Sequence, residues 1–135
     1  MEDGEASFIG RKALLGHGIE KAVAMLLISI PPGEEVIKTI ALKAAEKGVK
    51  DGAVVSLIGM VLKCAVSTME KDDATNDIVA EYAQALELSG NGEIREGKVH
   101  IHAVLSAEGN QAVSGHLHWA TTGNETTNAY IVPLD

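Results

Sequence analysis

Apolar and polar positions divide the chain into one helix-like segment and a long series of strand-like ones. Ala22 to Ile30 is an almost unbroken apolar run, the pattern of a strand buried on both faces. Pro31-Pro32-Gly33 stops it. From Gly33 to Gly48 the period changes: Val36, Ile37, Ile40, Ala41 and Ala44 fall on one helical stripe. Glu34 and Glu35 stand at the positive end of that helix, Lys43 and Lys47 at the negative end, and Gly48 is placed to cap it. Strand patterns follow at Ala53 to Val61, Leu62 to Met69, Ile78 to Leu88, Val99 to Ser106, Gln111 to Ala120 and Thr127 to Leu134. Glu70 to Asp77 reads as a polar loop, and Ser89-Gly90-Asn91-Gly92 and Thr121 to Thr126 read as turns. One helix followed by about six strands predicts an α+β fold: a mostly antiparallel β-sheet with one main helix packed on a face, in a single domain. Residues 1–21, punctuated by Gly4, Gly10, Gly16 and Gly18, read as an irregular segment, with His17 in an exposed loop, and residues 22–135 as the domain proper.

Composition narrows the function more than the fold. With 135 residues the chain has room for one core, and with 3% aromatics that core is built from aliphatic side chains. A formal charge of −8, with 11 Lys and Arg scattered along the chain, disfavours binding to nucleic acid or anionic membranes. The single cysteine, Cys64, excludes an intrachain disulfide and reads as a buried apolar thiol. The acidic stretch Met1 to Ser7 gives no signal peptide, and the Ala22–Ile30 run is far short of the roughly 20 residues of a membrane span, so a cytoplasmic protein is expected.

The candidate chemistry lies in the last third of the chain. Four of the five histidines fall between Val99 and Trp119, as His100 and His102 and as His116 and His118. Residues two apart on a strand share a face. Ile101, Ala103 and Leu105 lie on the opposite face of the first strand, and Val113, Leu117 and Trp119 on that of the second. If both apolar sets cover one core, Ile101 faces Leu117 and Leu105 faces Val113. That register sets His102 against His116 and His100 against His118. It requires an odd-length loop, Glu108-Gly109-Asn110, with a Gly or Asn in the left-handed conformation. Opposed Cβ atoms are about 5 Å apart, within reach of one ion for two or three imidazoles. Three histidines with an open fourth position make a known zinc arrangement. Glu87 and Glu125 are the candidate acid–base or supporting carboxylates. No phosphate loop and no Gly-x-Ser-x-Gly elbow is present; Ser114 beside His116 is a weak hint of nucleophile chemistry.

The hairpin, His100-Ile-His-Ala-Val-Leu105 followed by Ser114-Gly-His-Leu117, resembles the plants-and-prokaryotes-conserved (PPC) domain family. Pro32-Gly-Glu34 is similar to the family's helix start, Ser56-Leu-Ile-Gly-Met-Val61 to its glycine-containing strand, and Leu86-Glu-Leu-Ser-Gly90 to its Glu-x-x-x-Gly stretch. Glu125 falls where the family often has an acidic residue, whereas His118 and Trp119 depart from its pattern. The resemblance spans residues 22–134. It implies a homotrimer in which His100, His102 and His116 hold zinc or another divalent metal at or near a subunit interface; the hairpin register adds His118 as an additional pocket residue. The protein is then a metal-dependent binding module or a small-molecule enzyme. The family label "DNA-binding protein" gives the alternative of a transcription-regulatory protein, against which stand the charge and the absence of an Arg-Gly-Arg-Pro AT-hook. A trimer whose histidines only pack between subunits, without metal, is the third reading.

Overall fold

The structure, a computed structural model, describes residues 24–134 and, as backbone only, Ala6–Ser7, Ala13–Leu15 and Ile19–Lys21. Those three segments are the short strands β1, β2 and β3. Where residues 1–21 are described they are therefore extended rather than irregular: β1 pairs with the next strand and β2 with β3. His17 lies outside the described residues. β4 (Met25–Ile30) leads into the helix α1 (Val36–Glu46). Then come β5 (Gly52–Glu70), β6 (Asp73–Tyr82), β7 (Leu86–Arg95), β8 (Lys98–Ala107), β9 (Gln111–Thr122) and β10 (Thr127–Pro133). This is the expected α+β fold, a mostly antiparallel sheet with one main helix.

Ile28 and Ile30 of β4 are buried, while Met25, Leu27 and Ser29 are half-buried. The strand thus covers the core with one face, not two. Its apolar composition reflects its neighbours β1 and β10 rather than a double burial. The helix is shorter than the Gly33–Gly48 pattern because Glu35 caps it. The Glu35 carboxylate accepts from the backbone N–H of Ile37 and Lys38, at 2.8 and 2.9 Å. A carboxylate there also meets the positive end of the helix dipole. At the other end Gly48, in the left-handed region, lets the N–H of Gly48 and Val49 return to Ala45 and Ala44. Val36, Ile40 and Ala44 are buried against the sheet and Ile37 and Ala41 half-buried, which is the predicted stripe.

β5 organises the rest. The two strands expected on either side of Val61 are one strand of 19 residues, interrupted by register shifts after Val54, Val61, Ala65 and Met69. Such shifts leave residues unpaired on β5 or on its partner, and bulges of this kind bend a strand and increase its twist. The first half of β5 pairs with β7 and β10, the second half with β6 and β9. Because β8 pairs with both β7 and β9, the strands β5, β7, β8 and β9 close on themselves. Ile101, Leu105, Leu117, Leu88, Ile94, Val54, Leu57 and Val61 fill the inside.

Two expected loops are strand. Ser89-Gly90-Asn91-Gly92 lies within β7, where Leu88, Gly90, Gly92 and Ile94 form the inward-facing alternation. A side chain at Gly90 would stand 2.8 Å from the His102 carbonyl oxygen, and one at Gly92 would collide with that of His100. These glycines are where β8 crosses closest, not a turn. The other is Asp73 to Asp77, which opens β6. β6 is almost wholly exposed, so no inward face marks it in the sequence. The expected continuous strand Ile78 to Leu88 breaks at residues 83–85.

Candidate metal centre

The β8–β9 hairpin has the predicted register over its paired length. His102 faces His116 and Leu105 faces Val113. The three-residue turn Glu108–Asn110 carries both Gly109 and Asn110 at positive φ, +76° and +63°. The odd loop, which only residues tolerant of that region make cheaply, therefore fixes the face of every side chain on the hairpin.

Beyond His102 the two strands part. β8 stays with β7, where His100 faces Glu93 and His102 faces Asn91. β9 moves along β5, where Ser67 faces His116 and Val66 faces Leu117, but Ala65 faces Trp119. His118 is thus the extra residue of a bulge. The expected facing of His100 and His118 does not form, because the strands that carried it no longer pair. The bulge also moves the buried alternation of β9 by one position: Ala120 and Thr122, not Trp119, continue the inward face from Leu117.

His100, His102 and His116 nevertheless converge. Their ring centroids lie 5.0 Å apart for His100 and His102, 4.8 Å for His100 and His116, and 6.1 Å for His102 and His116. One nitrogen of each ring lies within 4.8 Å of the others. In tetrahedral zinc sites nitrogens bonded at about 2.05 Å are ~3.4 Å apart. The triad is thus the right donor set, slightly wider than a loaded site. His100 and His102 are exposed and free to close by side-chain rotation, and His116 is half-buried. These three residues fit a divalent cation that accepts imidazole. His118 stands beside them: its ring is 4.7 Å from that of His116, and its Nε2 is 2.8 Å from Ser67 Oγ.

Burial pushes the His116 pKa down, and the neighbouring His118, His100 and His102 push the same way; Asp77 opposes them. The neutral ring, the metal-binding form, is therefore favoured. The cleft around the triad has a volume of about 970 Å³. Ser67, Thr68, Ser89, Asn91 and Ser114 provide its neutral polar lining, Asp77 its carboxylate, and Val55, Met69 and Val104 apolar walls. A smaller recess that shares His100, His102 and Asn91 with the cleft is lined also by Gly92 and Glu93. Glu87 and Glu125 line neither. Glu87 faces Ser106 further along β7, and Glu125 lies in the turn before β10. The carboxylates near the histidines are instead Asp77 and Glu93. Glu93 was findable: once β7 is recognised as a strand, its register with β8 follows. Asp77 was not, because only the bent β5 brings the start of β6 over the cleft.

A profile of the Plants and Prokaryotes Conserved (PCC) domain, the family abbreviated PPC above, matches residues 18–133. The chain belongs to this family. Among solved structures, a PPC protein of Pyrococcus horikoshii is similar at 21% identity and a TM-score of 0.74, covering 82% of this chain and 78% of that one. A metal-containing protein of Archaeoglobus fulgidus is similar at 20% identity and a TM-score of 0.71, covering 94% and 85%. A candidate DNA-binding protein of Bacteroides thetaiotaomicron follows at 18% and 0.68, covering 81% and 77%. At these identities the likeness is one of fold. No curated protein sequence matches the chain. Among the described residues no helix is long and apolar enough to cross a membrane.

Proposed function

We propose that this PPC-domain protein is a metal-dependent small-ligand-binding protein, with His100, His102 and His116 as ligands to zinc or another divalent cation. The observation that carries this reading is the convergence of three imidazoles from two neighbouring strands, each with a nitrogen within 4.8 Å of the others, at the floor of an open cleft. The metal-containing neighbour from Archaeoglobus fulgidus supports it. When bound, such a cation supplies Lewis acidity to an oxygen of the ligand. The chain's own residues supply the rest. The lowered pKa of His116 favours its neutral ring, Ser67 holds the His118 ring by its hydrogen bond, and Asp77 places one negative charge on the cleft wall.

We further propose that the chain assembles as a homotrimer, as the family resemblance implies, with the cleft near a subunit interface. Met69, Ile78 and Val79 support this: they expose 59%, 52% and 55% of their surface on the β5–β6 extension, and Met69 and Asp77 belong to both that extension and the cleft. The test is metal analysis after purification with added zinc. About one equivalent per chain in the wild type and under a tenth in His102→Ala is expected, and a wild type equally empty would overturn the reading.

DNA binding is the rival, and the Bacteroides neighbour is what favours it. A charge of −8 and a cleft with no Lys or Arg among its described lining residues weigh against it. It predicts a salt-sensitive gel shift, where the metal reading predicts none even at low salt.

A further inference from the structure

We infer that the cleft takes a small monocarboxylic acid with a hydroxyl group beside its carboxylate, an α-hydroxy acid, and discriminates against its phosphorylated relatives. The inference rests on the metal reading above and adds the class of ligand.

Charge is the first argument. No lysine or arginine is found among the described residues lining the cleft. The usual alternative to a basic side chain for holding phosphate is a helix N-terminus. Here the N-terminus of α1 is already filled, since Glu35 accepts from Ile37, Lys38 and also Ala120. A divalent cation on the three imidazoles would therefore be the strong positive charge of the cleft, and Asp77 on the cleft wall leaves a net charge of one. One carboxylate completes the balance. A phosphomonoester, with up to two further negative charges, meets Asp77 with nothing to offset it.

The donor set is the second argument. A cation held by three histidines keeps open positions, and hard oxygen donors suit borderline cations with imidazole ligands. An α-hydroxy acid would offer such a cation a carboxylate oxygen and a hydroxyl in a five-membered chelate, a less strained bite than the four-membered one of a plain carboxylate. The third argument is the wall. Thr68, Ser89, Asn91 and Ser114 offer uncharged donors and acceptors, the kind of partners that hydroxyl groups need. Their number favours a ligand with more than one hydroxyl.

Calorimetry on the full chain tests this in two steps. Zinc is titrated first into metal-free protein, and that step alone decides the metal reading. Glycerate, 3-phosphoglycerate and propionate are then titrated into the zinc-loaded protein. Glycerate is expected to bind about tenfold or more tightly than either of the others, propionate lacking the chelating hydroxyl and 3-phosphoglycerate adding the unmatched charge. Asp77→Asn is expected to bring 3-phosphoglycerate to within about threefold of glycerate, since it removes the carboxylate that the phosphate meets. Zinc binding with no glycerate binding overturns the ligand class and leaves the metal site standing. So do propionate binding as tightly as glycerate, and 3-phosphoglycerate binding as tightly or more tightly.

Discussion

Burial and three neighbouring imidazoles lower the pKa of His116 below that of a free histidine and so favour its neutral ring. His100, His102, His118 and Asp77 are the titratable groups facing it. Its pKa in the folded chain is lowered, so the unfolded chain takes up the proton first. The stability this group contributes is present above the unfolded value near 6.5 and is lost as pH falls through the lowered folded value. Metal-free protein is accordingly expected to lose unfolding free energy below pH 6.5, and His116→Gln to lose less. Urea unfolding at pH 7.5 and 5.5 checks this, and equal losses in both proteins would remove the special role of His116. His102 differs because its ring is exposed. His102→Ala is expected to change metal-free stability by no more than about 0.5 kcal/mol, as for other surface positions, while removing a metal ligand. A denaturation midpoint together with zinc stoichiometry separates the two effects.

At the scale of elements, Glu35 joins the helix to the histidine strand. Its carboxylate caps α1 and accepts from Ala120 N–H of β9 at 3.0 Å, four residues beyond His116. Glu35→Ala removes the cap and leaves a buried N–H unpaired. A loss of about 2–4 kcal/mol is expected by urea unfolding, the sum of a cap and an orphaned donor. A loss under about 0.5 kcal/mol, as for an ordinary surface residue, would show that neither bond matters. Gly115→Ala tests the close approach of β9 to β5, where a Cβ would strike the Ser67 carbonyl. It is expected to cost at least about 2 kcal/mol through displaced backbone and to weaken zinc binding at the adjacent His116.

These elements also show what a single sequence reveals. The hairpin register was legible because two apolar sets, an odd loop and Gly109-Asn110 all demanded the same pairing. The helix stripe was legible for the same reason of agreement. The bulge at His118 was not, since an unpaired residue leaves no mark in composition and shifts the alternation only locally. Gly90 and Gly92 misled because a glycine needed for close crossing looks like one needed for a turn. The metal triad survived the misplacement of His118, because His102 and His116 face each other as expected and His100, two residues along β8, shares the face of His102.

The whole molecule carries an apolar extension that a monomer does not explain. Among the described residues β6 pairs with β5 alone, and Ile78 and Val79, adjacent and hence on opposite faces, are both more than half exposed. An extended strand wet on both faces, with apolar residues on each and one edge free, is an association surface. The proposed trimer predicts a solution mass three times the 14.1 kDa chain, measured by light scattering. The double substitution Ile78→Asp and Val79→Lys places charge on both faces and removes nothing from the core, since neither side chain is buried there. It is expected to give a folded monomer, with the far-ultraviolet circular dichroism of the wild type. Because Met69 and Asp77 lie on the same extension and also line the cleft, the monomer is further expected to keep its zinc, bound by β8 and β9, and to bind glycerate more weakly. An unchanged mass would place the subunit contact elsewhere. A monomer with undiminished glycerate binding would show that the cleft is complete within one chain.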